Sequence, residues 1–449
     1  MHTLECAKED HRNREFIEPM KKIDVLWLVE HVAREMDVAC AATCLAEERY
    51  GLKVAVRNMY LHAHDVMREF LPRIVVHPFF YFLSGALATE DFVRRWPRAI
   101  HVNLAWEEIF YKVHEKIKAP SDDFTRKRVL HHAWGDFYRL YLEKHGVPAE
   151  NIFVNGNPVY QLYRSPYCRY YRSRDWLAEK YGLRKDARWV FFPENYRWAF
   201  IGDKIHLFTK LGGDHDEIIR MRDFSLESLK QVLQWCNRVA HHEGLELIFR
   251  PRPATSTELL QGFFEENVGA PAPGFHIIKG ESVREWILAS DRVFSSYSTS
   301  LIEAAVAQKP AYMAEPIPIP DSLRYDWFRH VQRVRTGDEF ERACLELESD
   351  SEGQALKRWA EQEMLANGDP IAGLADYLNR LTQSEKGPAP VSARLGQACR
   401  NILAKGPLYN LAYGKKNYFN RTTHENDVFT EEDVREKVQA WKRVLGTVS

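Results

Sequence analysis

The chain has 449 residues, 45% hydrophobic and 28% charged, which suits a soluble globular protein with a sizeable core and excludes disordered and fibrous classes. Sixty-two basic against sixty-three acidic side chains leave a formal charge of −1, so no global field draws in nucleic acid or an anionic membrane, and no nucleic-acid partner is expected. Seven scattered cysteines form no CxxC pair, the segment 1–16 is dense in charge, and no apolar run approaches 18 residues; the expectations are a reducing cytoplasm, no disulfide framework, no signal peptide and no membrane span.

After about twenty polar residues, the apolar run 23–29 reads as a buried strand. A helix follows from near Arg34, with Met36, Ala39, Cys40, Cys44 and Leu45 at helical spacing and Gly51 as its stop, and residues 52–56 make the next strand. Further strands are predicted at 74–76, 99–102 and 151–154, separated by helical segments that include 126–145. This is a parallel α/β layer structure. Gly156-Asn157-Pro158 and the aperiodic tract 163–172 mark a crossing into a second lobe. There, strands at 189–192, 245–249, 275–278, 292–295 and 311–313 alternate with helices at 225–242, 256–266, 281–289 and 299–308. From about 338 the pattern is helical and polar, with a turn or linker at 386–390. The predicted organisation is a first Rossmann-like lobe over 1–160, a second over 175–337 and a mostly helical extension over 338–449.

Two doubly wound lobes in succession are expected to set the carboxyl ends of two parallel sheets across a cleft, where helix amino termini present unpaired N–H groups to anionic ligands. The second-lobe strand at 292–295 runs into Ser295, Ser296, Ser298 and Thr299 and then a helix, a hydroxyl-rich phosphate cradle that reads equally as ordinary N-capping. Glu303, four residues after Thr299, is either a first-turn glutamate favoured by the helix dipole or a ribose hydroxyl acceptor. Arg250 and Arg252 leave the strand 245–249 interleaved with Pro251 and Pro253, a stiff presentation suited to bidentate phosphate recognition; the alternative is a surface loop paired with carboxylates. Asn195, just past the first strand of this lobe, can bond a sugar or base edge, and Trp198 can stack on one. The neighbouring histidines 131, 132, 241 and 242 lack metal-ligand spacing, His114 has no partner pattern, and Asp214-His215-Asp216 behind Gly212-Gly213 reads as a loop as readily as a DxD. No metal is expected. The absence of GxSxG, Walker A and GxGxxG removes the main support for hydrolase, P-loop and dinucleotide readings.

Residues 30–37 (Glu30-His31-Val32-Ala33-Arg34-Glu35-Met36-Asp37), Asn103-Leu104-Ala105-Trp106-Glu107-Glu108, Gly156-Asn157-Pro158, Pro193-Glu194-Asn195-Tyr196 and the hydroxyl-rich loop leading to Glu303 together resemble bacterial surface-carbohydrate glycosyltransferases of GT-B architecture, which act in capsule and lipopolysaccharide assembly. The resemblance spans about residues 23–315. It implies a GT-B fold of two lobes facing a cleft, a nucleotide-sugar donor on the second lobe, and a glycan or lipid-linked acceptor on the first. It implies no bound cofactor and no DxD metal. Related sialyl-, polysialyl- and Kdo-type enzymes carry a His-Pro step where this chain has Arg252-Pro253, which leaves the nucleotide open between CMP, CDP and UDP.

Glycosyl transfer passes through an oxocarbenium-like state and needs a stabilised leaving phosphate on one side and a carboxylate or imidazole on the other. Glu30 ranks first among the carboxylates because it comes directly off the first strand, with Arg34 placed to hold its charge or contact an acceptor anion; Glu107 and Asp37 follow. First-turn acids are also favoured by the helix dipole alone. Asn103, at the head of the second motif, is the other acceptor-side candidate. Alternatives are a phosphopolyol transferase, a nucleotide-sugar epimerase, and a non-catalytic carbohydrate-binding protein on the same scaffold. The tract 163–174, with four arginines among four tyrosines, suits a peripheral contact with the inner face of the membrane, and equally a plain crossing between lobes.

Overall fold

A computed structural model describes residues 20–446 apart from 62, 84–86, 110–114, 116–117, 203–204, 211–213, 253–254, 347–353, 365–367 and 385–426. The charged segment 1–16, His114, Gly212-Gly213, Pro253 and the linker at 386–390 lie outside the described residues.

Two six-stranded sheets, parallel throughout, form a two-lobed α/β fold of GT-B type. The first runs β2-β1-β3-β4-β5-β6, from β1 (Lys21–Val29), β2 (Val54–Asn58), β3 (Phe70–His77), β4 (Ile100–Asn103), β5 (Val129–Ala133) and β6 (Ile152–Val154). The second runs β12-β11-β10-β7-β8-β9, from β7 (Arg188–Pro193), β8 (Leu245–Arg250), β9 (Phe275–Ile277), β10 (Arg292–Ser295), β11 (Ala311–Ala314) and β12 (Gln332–Val334). Strand order reverses between β1 and β3 in one sheet and between β7 and β10 in the other. These are the topological switch points, where adjacent crossovers depart to opposite faces and leave a crevice at the carboxyl edge.

Val25 to Val29 are wholly buried because both sheet faces are covered, which is why the strand reads as a continuous apolar run. The Val32–Tyr50 helix is buried from Glu35 to Ala46, and Gly51 closes it in the left-handed region at φ 65°. Its small residues Ala39, Cys40, Ala41, Ala42 and Cys44 admit close neighbours, and the late helices Pro370–Gln383 and Glu431–Leu445 pack on it. The helical carboxyl-terminal extension is present but does not stand alone: Gly337–Leu345 stays on the second lobe, while the two later helices return to the first. The return passes so close to the first lobe that a Cβ on Gly135 would lie 1.8 Å from the Glu363 carbonyl oxygen. None of the described helices is long and apolar enough to cross a membrane.

Two predicted elements need correction. The stretch 126–145 is not one helix; it holds β5 between the short helix Asp123–Lys127 and the helix Asp136–Lys144. His131 and His132 break the apolar signature of β5, yet both are buried, and His131 is satisfied by the Thr125 carbonyl and Asn103. The helix expected from 225 begins at His215, where Asp214 accepts the Glu217 N–H, so it runs His215–Val239. The strand β12 carries no apolar run in the sequence, because Gln332 and Arg333 are only half-buried at the sheet edge.

The lobes are joined by a buried guanidinium. Arg284, on the Val283–Ala289 helix of the second lobe, donates to the Ala33 carbonyl (3.1 Å), the Arg34 carbonyl (3.1 Å) and Asp37 Oδ2 (3.2 Å) of the first. Tyr171 O–H (3.1 Å) and Lys437 (3.4 Å) complete Asp37, and Tyr163 O–H donates to Glu303 nearby. Burial pushes the Glu303 carboxyl up, opposed by Arg284, and the surrounding acids and tyrosines hold the guanidinium charged. Removing one member of a buried ion pair strands its partner, at a cost of about 3–5 kcal/mol. Arg284→Leu is expected to lose that much in guanidinium chloride unfolding, whereas Lys127→Ala, on an exposed pair, should stay within about 0.5 kcal/mol of the parent.

Candidate functional site

The carboxyl end of β1 delivers Glu30 and His31, and the Val32–Tyr50 helix starts at once. Glu35, one turn in, folds back so that its carboxylate accepts the Glu30 N–H (2.9 Å) and the His31 N–H (3.2 Å), tying off the strand exit. Burial pushes this carboxyl up, and Arg34 pulls it the other way. Arg34 stands at the centre: it donates to Glu35 (2.6 Å), Glu30 (3.0 Å) and Glu107 (2.8 Å), with its guanidinium 4.8 Å from the Phe79 ring centre. Lys118 donates to the other Glu107 oxygen at 2.5 Å, and Tyr60 O–H to Glu30 at 3.3 Å. The structure thus brings Glu30, Arg34 and Glu107 together at the β1/β3 switch point. Asp37 lies two turns deeper relative to Glu30, on the Arg284 seam. Asn103 is fully buried at the end of β4, where its amide meets His131 and its carbonyl oxygen accepts the Ala105 N–H.

The second switch point gathers β7 and β10. Glu194, buried at the β7 exit, accepts the Tyr196 N–H and the Arg252 N–H (3.1 Å), which ties this exit to that of β8. Desolvation pushes the Glu194 carboxyl up. Arg250 ends β8; its guanidinium donates to the Glu281 carbonyl (2.6 Å), its Nε is buried without a partner, and burial lowers its pKa. Ser295 is spent on the Pro193 carbonyl (2.6 Å), and the Ser296 hydroxyl lies against that of Tyr196. Ser298 accepts the Ser300 N–H (3.2 Å), while Thr299 holds the N-cap position of the Ser300–Val306 helix without a side-chain capping bond and stays exposed. Asn195 is half-buried in the loop after β7. Glu303 points to Tyr163 on the seam rather than to the hydroxyl-rich loop.

Sequence reasoning does not reach Lys118, Arg284 or Asp427. Asp427 accepts from the Val32 N–H (2.8 Å) and pairs with His31 (2.7 Å), from a segment remote in sequence. In the tract 163–174, Tyr163 and Tyr167 are buried and Arg174 bonds the Ala289 and Ala187 carbonyls and Asp291, so these residues are taken up by internal packing. Among the described residues, no group of three or more His, Cys, Asp and Glu is placed to hold a metal ion.

No protein-family model matches the chain, and no curated protein sequence does. Solved structures do. A UDP-N-acetylglucosamine 2-epimerase aligns at TM-score 0.51 and 12% identity, over 83% of this chain and all of the other. The UDP-GlcNAc 2-epimerase of Methanocaldococcus jannaschii, solved with UDP-GlcNAc and UDP, aligns at 0.50 and 10% over 80% of this chain and all of the other. The Neisseria meningitidis enzyme bound to UDP-GlcNAc aligns at 0.50 and 10% over 81% of this chain and all of the other. At these identities the likeness is one of fold.

Behind the first-lobe edge lies a buried polar interior. His77 and His101 share a hydrogen bond (2.9 Å), and His132 stands 4.0 Å from Glu108, which accepts the Trp134 N–H (2.7 Å). Desolvation lowers all four histidines, His101 to about 3, His131 and His132 to about 4, and His77 well below its ordinary value; the same burial raises Glu108. For each histidine the folded value lies below the unfolded one, so its contribution to stability is present above pH 6.5 and lost as pH falls towards the folded value. Glu108 runs oppositely: its contribution is present at acid pH and lost as pH rises through its raised value. His132→Asn should therefore flatten the fall of stability between about pH 6.5 and 4 by about 1.4 kcal/mol per pH unit. Urea unfolding at stepped pH measures the difference in slope, and parallel curves would exclude a neutral buried His132.

Proposed function

We propose that the chain is a nucleotide-sugar-dependent glycosyltransferase of bacterial surface-polysaccharide synthesis, which moves a sugar from a nucleotide on the second lobe to a glycan or lipid-linked acceptor at the first. The observation that carries this reading is that both switch points are polar and of different character: carboxylates on Arg34 at one, and at the other the buried Glu194 tying the β7 exit to the arginine-bearing β8 exit, with the hydroxyl-rich loop after neighbouring β10. Arg284 supports their apposition, because its helix follows β9 and its partners follow β1. On this reading Arg250 and Arg252, with Ser298 and Thr299, take the donor phosphates, which guanidinium groups recognise bidentately. Asn195 takes the sugar or base. Glu30, with Glu107, manages positive charge on the acceptor side as the anomeric carbon opens towards an oxocarbenium ion.

The three solved neighbours are named as UDP-GlcNAc 2-epimerases, which makes epimerisation the second reading on the same scaffold. Release of free nucleotide separates the two. A transferase releases it in proportion to added acceptor glycan, whereas an epimerase converts the nucleotide sugar to its epimer without acceptor and releases UDP and a monosaccharide only where water is consumed.

Titration calorimetry against CMP, CDP, UDP and GDP is expected to find one tight nucleotide, and Arg252→Ala to weaken it by about 1.5–3 kcal/mol, the range for a hydrogen bond to a charged group. Unchanged affinity in the folded variant would remove Arg252 from the donor site. Glu30→Gln should lower turnover about a hundredfold while leaving nucleotide affinity as it was. Turnover within a few-fold of the parent would move that role to Glu107.

A further inference from the structure

His31 and Asp427 are 396 positions apart in sequence and meet at the mouth of the first switch point, with Nδ1 2.7 Å from Asp427 Oδ2. We propose that His31 is the base of the transfer reaction and that Asp427, brought by the returning carboxyl-terminal segment, is the residue that positions it; this rests on the transferase reading above.

The geometry fixes the ring. Asp427 Oδ1 accepts the Val32 N–H (2.8 Å), and the Asn58 side-chain amide donates to the Asp427 backbone carbonyl (2.9 Å), so the residue is fixed at both its main chain and its carboxylate before Oδ2 meets the imidazole. The segment behind it is anchored by buried Phe429 and Trp441, by Glu431 on Arg57 and by Lys442 on Glu48 (2.6 Å). With the Nδ1 proton donated to Asp427, the basic lone pair sits on Nε2, as in other carboxylate-oriented histidines. Nε2 lies 3.9 Å from Glu30 Oε2. The His31 side chain is 36% exposed and that of Asp427 only 8%, so one end of the pair opens outward and the other is sealed.

The charged groups facing the ring are Asp427 from the returning segment, Glu30 from the strand end and Arg34 from the next helical turn. The hydrogen bond to Asp427 raises the ring above its ordinary pKa and Glu30 adds to this, while burial and Arg34 oppose it. Glu30 already receives Arg34 and Tyr60, which makes the imidazole the better-placed proton acceptor. In the step proposed, the acceptor hydroxyl gives its proton to Nε2 as its oxygen bonds the anomeric carbon. The bond from that carbon to the donor phosphate oxygen breaks, and its electron pair leaves with the nucleotide. The imidazolium so formed stands between Asp427 and Glu30.

A purely structural Asp427 would only cap the Val32–Tyr50 helix. Asp427→Asn keeps an oxygen for the cap and loses the charge, so it separates the roles. NMR titration of the full chain is expected to place the His31 pKa above 6.5 in the parent and to lower it in Asp427→Asn; an unmoved pKa would overturn the pairing, whatever the activity. The base must be neutral, so the acid limb of kcat/KM is expected above pH 6.5 and to shift towards acid in Asp427→Asn, with kcat down roughly tenfold to a hundredfold. His31→Gln should lower kcat about a hundredfold or more at unchanged nucleotide affinity. Activity within a few-fold of the parent would overturn the catalytic assignment alone, whereas a folded parent that binds nucleotide but releases none with any acceptor would overturn the transferase reading and this one with it.

Discussion

A guanidinium buried between two lobes must find its counter-charges there, and Arg284 makes its hydrogen bonds by reaching across, with Glu303 of its own lobe nearby. Its carbonyl partners belong to Ala33 and Arg34 and its carboxylate to Asp37, all in the first turns after β1. Arg34 is also the hub of the Glu30–Glu35–Glu107 cluster. The same short stretch therefore carries the lobe seam on its backbone and the candidate site on its side chains. Misalignment of the lobes by an ångström would break the bonds that Arg284 makes to the first lobe, and a buried charge without its partners costs several kcal/mol. The seam thus acts as a geometric reference for both switch points.

The carboxyl-terminal return is the second constraint. A helix buried from Glu35 to Ala46 needs apolar cover on the side away from its sheet, and the small residues of that helix suit close packing by Pro370–Gln383 and Glu431–Leu445. Charge follows the same path: Lys437 reaches Asp37, Lys442 reaches Glu48, and Asp427 reaches the helix amino terminus and His31. The extension closes the first lobe's core and finishes its polar edge in one pass.

Strands covered on both faces, such as β1, β7 and β8, were legible because their residues form uninterrupted apolar runs. β5 was not, because His131 and His132 look polar in sequence and become apolar-like only when neutral and buried. Glu30, Arg34 and Glu107 were legible as a group because strand ends in a doubly wound sheet converge by topology, and no contact needed to be known. Arg284 was hidden in Val283–Ala289, where an arginine at the second position reads as a solvated face. Asp427 was hidden because no local pattern signals a partner 396 positions away. The tract 163–174 admitted two readings from composition; burial of Tyr163 and Tyr167 and the bonds of Arg174 account for much of it by internal packing.

The two edges differ electrostatically in a way that suits bond cleavage between them. At the first lobe, two cations, Arg34 and Lys118, are matched against Glu30, Glu35 and Glu107, so the edge has no cationic excess. At the second, the Arg250 guanidinium donates to the Glu281 carbonyl and faces the Glu281 and Glu285 carboxylates, while Glu194, whose carboxyl is pushed up by burial, accepts the Arg252 N–H. On the transferase reading, the donor phosphate lies towards Arg250 and Arg252, where negative charge develops on leaving, and the sugar towards the carboxylates, where positive charge develops. Such fixed charges stabilise the state in which the leaving phosphate has gained charge and the sugar is cationic more than the ground state, provided the edges keep their separation and orientation. That proviso falls on Arg284, since a polarised pair of edges is useful only while something holds them opposed.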